Sequence, residues 1–339
     1  MGNNVLGCKR CVNTTKNPNV RINHEGYCNV CEVFMNNFNK SVLETELSFL
    51  RSRRGKGKTK YDAFLGLSGG KDSTATLYTV KQMGFRPLAF TFDLGYYPKH
   101  IFQRAKHISS LMDTDHQIID IRRYIRASDV SCYQKTAALY DETESDELKE
   151  RFINIYKDGK KHYSIKCRHF VPVVRTCQLC RRPVIRAYYS EAIKRGINLI
   201  ILGMNGWANL SGTHGLSKKV KISAIKILKP YKNSMPVYVV HLPFLLQRSI
   251  KETQKILDKA GWKEPKGENL IETNANSCLF ARAAESKAKR MLGFHPDTPR
   301  LAREVTVGFI TKVQAKIALE KIHRPVCSVR HVLERANII

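Results

Sequence analysis

The chain has 339 residues, room for one large domain or two modest ones, and 42% of them are hydrophobic, enough for a genuine core. No run approaches the roughly eighteen apolar residues of a membrane helix, and the amino terminus lacks the charged-then-apolar layout of an export signal, so a cytoplasmic protein with no membrane role is expected. Lysine and arginine number 58 against 29 aspartates and glutamates, a formal charge of +29, which points either to a polyanion partner or to a solvated basic surface.

Cys8-Lys-Arg-Cys11 and Cys28-Asn-Val-Cys31 open the chain as two Cys-x-x-Cys knuckles. This layout lets four thiolates close a tetrahedron around Zn2+. Asn17-Pro-Asn19 and His24-Glu-Gly26 supply turns on either side of a short predicted strand, Val20-Arg-Ile22. A structural zinc ribbon is expected over residues 1–45, since all four coordination positions are filled. Two disulfides are the alternative, disfavoured without an export signal. This segment resembles the amino-terminal module of N-acetyl sugar amidotransferases, and several tRNA thiolation enzymes carry a similar one. Arg51-Ser-Arg-Arg-Gly-Lys-Gly-Lys-Thr-Lys60 is the densest basic cluster, and residues 46–60 read as a flexible linker.

Tyr61-Asp-Ala-Phe-Leu-Gly-Leu-Ser-Gly-Gly-Lys-Asp-Ser73 is an apolar run that breaks at a glycine pair and restarts as Thr74-Ala-Thr-Leu-Tyr78. The spacing predicts a buried strand, a tight turn and a helix start, where backbone amides can close around an anion. A Walker loop is excluded, because the places of its first glycine and its Ser or Thr hold Leu65 and Asp72. Gly84-Phe-Arg-Pro87 ends the helix, and Leu88-Ala-Phe-Thr-Phe-Asp93 predicts the next strand of a parallel β-α-β unit.

Ser68 to Ser73 resemble, letter for letter, the Ser-Gly-Gly-x-Asp-Ser loop of the PP-loop ATP pyrophosphatases. That resemblance implies an α/β fold, a doubly wound parallel sheet over residues 61–230, and cleavage of ATP to AMP and pyrophosphate. It places Ser68, Gly69, Gly70, Lys71, Asp72 and Ser73 on the phosphates, with Lys71 neutralising charge and Asp72 helping to hold Mg2+. Phe90, Thr91 and Phe92 would hold the adenine.

Asp141-Glu-Thr-Glu-Ser-Asp-Glu147 reads as a solvated loop or helix start. Further on, Thr176-Cys-Gln-Leu-Cys-Arg-Arg182 precedes a helical pattern over Ile185–Arg195 and the apolar strand Leu199–Gly203. Cysteines at a helix amino terminus beside Arg175, Arg181 and Arg182 are expected as stabilised thiolates, reactive or metal-bound. The block is similar to the centre of the tRNA two-thiocytidine and two-thiouridine synthetases. That likeness implies that Cys177 and Cys180 join a third cysteine, with Cys278 the best placed, to hold a 4Fe-4S cluster. A persulfide and disulfide couple without iron, or a second zinc site with Cys278 and Cys167, are the alternatives. Cys132, Cys167 and Cys327 otherwise stand alone.

Gly203-Met-Asn-Gly-Trp207 lies closer to the Gly-Glu-Asn turn of the sugar amidotransferases, and Gly203 and Asn205 are expected ATP or Mg2+ contacts at a strand end. Asn209, Ser211, Thr213 and His214 follow in a polar loop, with His214 weighed as surface residue against base. Residues 231–339 read as a basic helical appendage, including a helix over Pro243–Leu257 and another over Ala281–Met291. Its tail resembles sugar amidotransferases.

The expected function is an ATP-dependent sulfurtransferase acting on a tRNA base or a small molecule, with a sulfur-donor protein as partner. The alternatives are a sugar amidotransferase fed with ammonia by a glutaminase subunit, and a non-catalytic RNA-binding protein. Oligomeric state stays open, with a homodimer as one expectation.

Overall fold

The computed structural model describes residues 4–57, 59–162, 171–212, 220–265 and 268–339. In chain order the elements are α1 (Asn29–Asn37), α2 (Lys40–Ser52), β1 (Ala63–Gly66), α3 (Lys71–Gln82), β2 (Pro87–Asp93), α4 (Lys99–Leu111), β3 (His116–Asp120), α5 (Ala127–Asp141), α6 (Asp146–His162) and α7 (Cys177–Lys194). There follow β4 (Leu199–Leu202), β5 (Asn209–Gly212), β6 (Val220–Ser223), β7 (Ile225–Leu228), β8 (Val237–His241), α8 (Leu242–Leu245), α9 (Ile250–Lys259), α10 (Leu279–Leu292), α11 (Thr298–Thr306), α12 (Lys312–Glu320) and α13 (Val329–Arg335).

The central sheet has the order β3-β2-β1-β4-β8-β7. All its pairings are parallel except β7 with β8 at the edge. Its inner strands are covered on both faces, which is why they read as unbroken apolar runs. Phe64, Phe90, Ile200, Leu202 and Val239 face one core, where α5, α7, α10 and α13 pack. Ala63, Leu65, Ala89, Leu199, Ile201 and Val240 face the other, with α2, α3, α4 and α8. From β1 the chain moves outward to β2 and β3, then returns to place β4 on the opposite side. That reversal opens a crevice at the carboxyl ends of β1 and β4.

Four expectations change. The linker over 46–60 begins as the second half of α2, capped by Asn39, with Leu43 and Leu50 buried and the Glu46 carboxylate accepting from the Ala224 amide at 2.9 Å. The break at residue 230 falls inside the sheet, because β8 pairs with β4. The helix over 243–257 is two helices, parted where Gln247 takes φ 50° and Ser249 caps α9. Val20–Ile22 is no strand, only a bridge from Ile22 to Cys28.

The cysteine knuckles do not stand apart. They share a core with Leu301, Val305, Phe309 and Ala315 of the carboxyl third. Arg10 donates to the Thr306 carbonyl at 2.7 Å and Lys312 to the Cys8 carbonyl at 2.6 Å. Among the described residues no helix is long and apolar enough to cross a membrane.

Candidate active site

The turn between β1 and α3 is held by its own hydroxyls. Ser73 Oγ accepts from the Ser68 amide at 3.1 Å and donates to the Gly70 carbonyl at 3.0 Å. Trp262 Nε1 donates to the Gly69 carbonyl at 3.1 Å, fastening the loop from the other side. Gly69 sits at φ +70°, and a Cβ there would meet Arg104 Cβ at 2.6 Å. At Gly203, the end of β4, the obstacle is backbone, since a Cβ would lie 2.7 Å from the Asp72 carbonyl oxygen. Two backbones thus press on a turn that opens a twelve-residue helix, where free amides and the positive dipole end favour an anion. Lys71 Nζ pairs with Asp72 Oδ2 at 2.5 Å, while Asp72 Oδ1 is buried without a partner.

Over this turn lies a cavity of about 500 Å3, within the usual range for a ligand site. Ser68, Gly70, Lys71, Asp72 and Ser73 line one end, and Phe90, Thr91, Phe92, Tyr188 and Gly203 continue the wall. Thr91 Oγ1 donates to the Leu67 carbonyl and meets His116 Nε2 at 2.8 Å. Two expected contacts are absent from the lining. Gly69 acts through its backbone conformation, and Asn205 is buried at 5% exposure with Oδ1 unpartnered, because the chain turns inward after Met204.

Charged residues that the sequence did not single out also line the cavity: Arg104, Glu268, Glu272 and Arg300. Arg104 and Glu268 form a two-pronged pair, each contact 3.0 Å. Arg300 donates to Glu304 at 2.8 Å and to the Glu272 carbonyl at 2.5 Å. Burial opposes its charge, but Glu304 and Asp297 outweigh that and its pKa rises.

The three cysteines flank this cavity. Cys177 opens α7, Cys180 lies one turn on, and Cys278 caps α10 with its sulfur accepting from the Ala281 amide at 3.5 Å. Cys180 Sγ meets Tyr96 Oη at 2.8 Å, and the next residue, Tyr97, lines the cavity. Asn274, Asn276 and Ser277 line it too, immediately before Cys278. Arg300 acts electrostatically on both Cys177 and Asp72.

Stabilised thiolates were expected here, and the structure corrects that. Cys177 touches solvent, yet the protein crowding it pushes its pKa up to about 12, helped by Asp297 and Cys180, against the weaker pull of Arg175 and Arg300. Burial raises Cys180 to about 11, and Cys278 rises through burial and its two partners. Burial thus favours the neutral thiols, a preference that a bound cation would reverse.

Among the described residues, the one group of three or more possible ligands that closes within 4.8 Å is Cys8, Cys11, Cys28 and Cys31. Cys177, Cys180 and Cys278 do not close within that distance, and Cys167, the fourth ligand of the zinc alternative, lies outside the described residues. A multi-iron cluster, whose thiolates take different irons, accepts wider spacing. Thr213 and His214 also lie outside the described residues.

At the amino-terminal knuckles Cys8 and Cys31 sulfurs are 3.8 Å apart and Cys11 and Cys28 sulfurs 3.5 Å. Disulfides would need about 2.05 Å. A tetrahedron with metal–sulfur bonds of about 2.3 Å has edges of about 3.8 Å, so the four fit a single ion. Amides of Cys11, Asn13 and Cys28 point at the sulfurs, as thiolates require.

Residues 62–156, from β1 into α6, match the profile of the family described as Queuosine biosynthesis protein QueC. No curated protein matches the chain. NMN synthetase from Francisella tularensis is a similar solved structure at 14% identity, TM-score 0.25, covering 49% of this chain and 54% of that one, so the chain spans about half its length. Another is the U34-tRNA thiolase NcsA from Methanococcus maripaludis with its 4Fe-4S cluster, at 14% identity, TM-score 0.37 and 98% coverage of each chain. At such scores neither likeness assigns a residue its role.

Proposed function

We propose that the chain is an ATP-dependent enzyme of the PP-loop ATP pyrophosphatase type, a reading supported by the QueC profile match over residues 62–156, and that it is a sulfurtransferase that adenylates a carbonyl oxygen of an RNA base and replaces it with sulfur. The observation that carries this reading is that one loop, residues 272–278, lines the nucleotide cavity and ends on a cysteine of the thiol patch.

Loop amides at Ser68–Ser73, with Lys71 and Arg300, bind the triphosphate and offset the charge that grows on it, and Asp72 helps to hold Mg2+. Phe90, Thr91 and Phe92 orient the adenine. The acceptor oxygen attacks the α-phosphorus, the bond to the β-phosphate oxygen breaks, and pyrophosphate leaves. Sulfur then adds to the activated carbon, the carbon–oxygen bond breaks, and AMP departs carrying the acceptor's oxygen. Cys177, Cys180 and Cys278 would hold a 4Fe-4S cluster, which supplies an open iron site for sulfide when bound. Tyr96, Tyr133 and Phe280 shield that patch. Cys8, Cys11, Cys28 and Cys31 would hold structural zinc.

An amidotransferase would leave the three cysteines without a chemical task, and a purely RNA-binding protein would leave the cavity without one. Anaerobically prepared protein, assayed for iron, zinc and sulfide and then for pyrophosphate release with transfer RNA, separates these. Iron-containing protein should release pyrophosphate with sulfide. Iron-free protein that releases it with ammonia and not with sulfide would exclude thiolation.

A further inference from the structure

Ion pairing occupies many arginines of this chain: Arg104 with Glu268, Arg186 with Asp129, Arg195 with Glu191, Arg290 with Glu144, Arg330 with Asp141. Beside the cysteine patch the pattern lapses. Arg175 and Arg181 flank the start of α7, Lys226 lies on the edge strand β7, and Arg303 projects from α11. Among the described residues none of these four side chains has a carboxylate partner. Arg303 lies instead over the Trp207 ring, 4.8 Å from its centroid, with its stem against Gly206, where a Cβ would meet Arg303 Cδ at 2.6 Å.

The four cations feel one another. Arg303 keeps contact with solvent, yet the protein crowding it, then Arg175 and Arg181, lower its pKa to about 10, and burial followed by Arg181 lowers Lys226. His241 between them cannot add a charge near neutrality, since burial brings it down to about 4 and its Nδ1 donates to the Gly206 carbonyl at 2.7 Å. Gathering like charges without a counter-ion opposes folding. The missing anion belongs to something that arrives.

Its place is specific. The start of α7 stands at the carboxyl ends of the parallel strands, Arg175 is two residues from Cys177, and Arg181 adjoins Cys180. Gly203 and Met204, on the rim of the nucleotide cavity, lead into the segment that carries Gly206 and Trp207. Four cations exceed what a lone phosphate monoester requires, and Arg181 and Arg303 are both exposed, so successive phosphates of a polymer can pass over them.

We infer that Arg175, Arg181, Lys226 and Arg303 bind consecutive backbone phosphates of an RNA acceptor and bring its reacting base to Cys177. This rests on the sulfurtransferase reading. Each cation removed takes away about one phosphate contact and reduces the salt slope of binding by roughly 0.7–0.9.

The test titrates full-length, metal-replete protein with unfractionated transfer RNA between about 50 and 200 mM salt. In Arg181→Gln/Lys226→Gln the slope of log affinity against log salt should flatten by roughly 1.5 and affinity fall about tenfold or more, with binding of an ATP analogue unchanged. Arg181→Gln alone, at an exposed position, should give about half that flattening and guards against misfolding of the double variant. Unchanged slope and affinity in both variants would overturn the inference. So would wild-type protein that ignores transfer RNA but binds a nucleotide sugar in an Arg181-dependent way, which would identify a small phosphorylated acceptor. Loss of sulfide-dependent chemistry with RNA binding intact would instead fault the reaction and leave this surface standing.

Discussion

At Gly203 one methyl group decides how closely β4 approaches the phosphate turn. A Cβ would stand 2.7 Å from the Asp72 carbonyl oxygen and 2.9 Å from the Ser73 nitrogen, both backbone atoms that cannot swing aside. Gly203→Ala should cost roughly 1–3 kcal/mol in thermal unfolding and weaken nucleotide binding, because the first turn of α3 must retreat. Normal binding by that variant would show that close approach does not shape the loop. Asp72→Ala should lower pyrophosphate release by about a hundredfold or more while the melting temperature holds, read by a coupled pyrophosphate assay. Retained activity would remove Asp72 from the chemistry. These residues could be found in sequence because strand, glycine pair and helix start are contiguous. Arg104 and Glu268 could not, since 164 positions separate two residues that meet only after folding.

Between elements, the strap leading to Cys278 is pinned by a buried polar knot. Asp297 accepts from the Asn274 amide at 2.5 Å and its side chain at 2.7 Å, and Glu285 of α10 accepts from Thr273 at 2.8 Å and His295 at 3.0 Å. His323 donates to Glu285 at 3.1 Å and faces Glu272 at 3.7 Å. Glu272 and Glu285 raise the His323 pKa from 6.5 to about 9 against the cost of burial. A raised histidine stabilises fully below its unfolded pKa, and the contribution fades as pH climbs from about 6.5 through about 9. Denaturant unfolding should therefore show stability falling by roughly 2–3 kcal/mol across that window, and His323→Gln should flatten the fall. An equally steep fall in the variant would place the titration elsewhere. The same scale explains two misread elements. Lysines and arginines after residue 50 hid the Leu43, Leu47, Leu50 stripe that docks α2, and apolar residues recurring at helical spacing on both sides of Gln247 concealed its left-handed turn, which divides α8 from α9.

Across the whole molecule, the amino-terminal knuckles brace the helices beside the cavity. Cys31 Sγ lies 3.2 Å from Thr306 Oγ1, and Arg10 and Lys312 tie the same module to α11 and α12. Since α11 also carries Arg300 and Arg303, stripping the metal with a chelator, or Cys11→Ser, should lower the melting temperature by roughly 5 °C or more and weaken ATP binding. Intact nucleotide affinity in metal-free protein would uncouple the two. The knuckles and the sheet were legible separately from local spacing and apolar runs, but their joining was not, because it depends on long-range packing of residues 1–45 against the carboxyl helices. The most direct test of the account is calorimetric titration of metal-replete protein with the α,β-methylene analogue of ATP in Mg2+. The account predicts saturable binding that Gly203→Ala weakens, and no heat of binding from intact, metallated protein would contradict it.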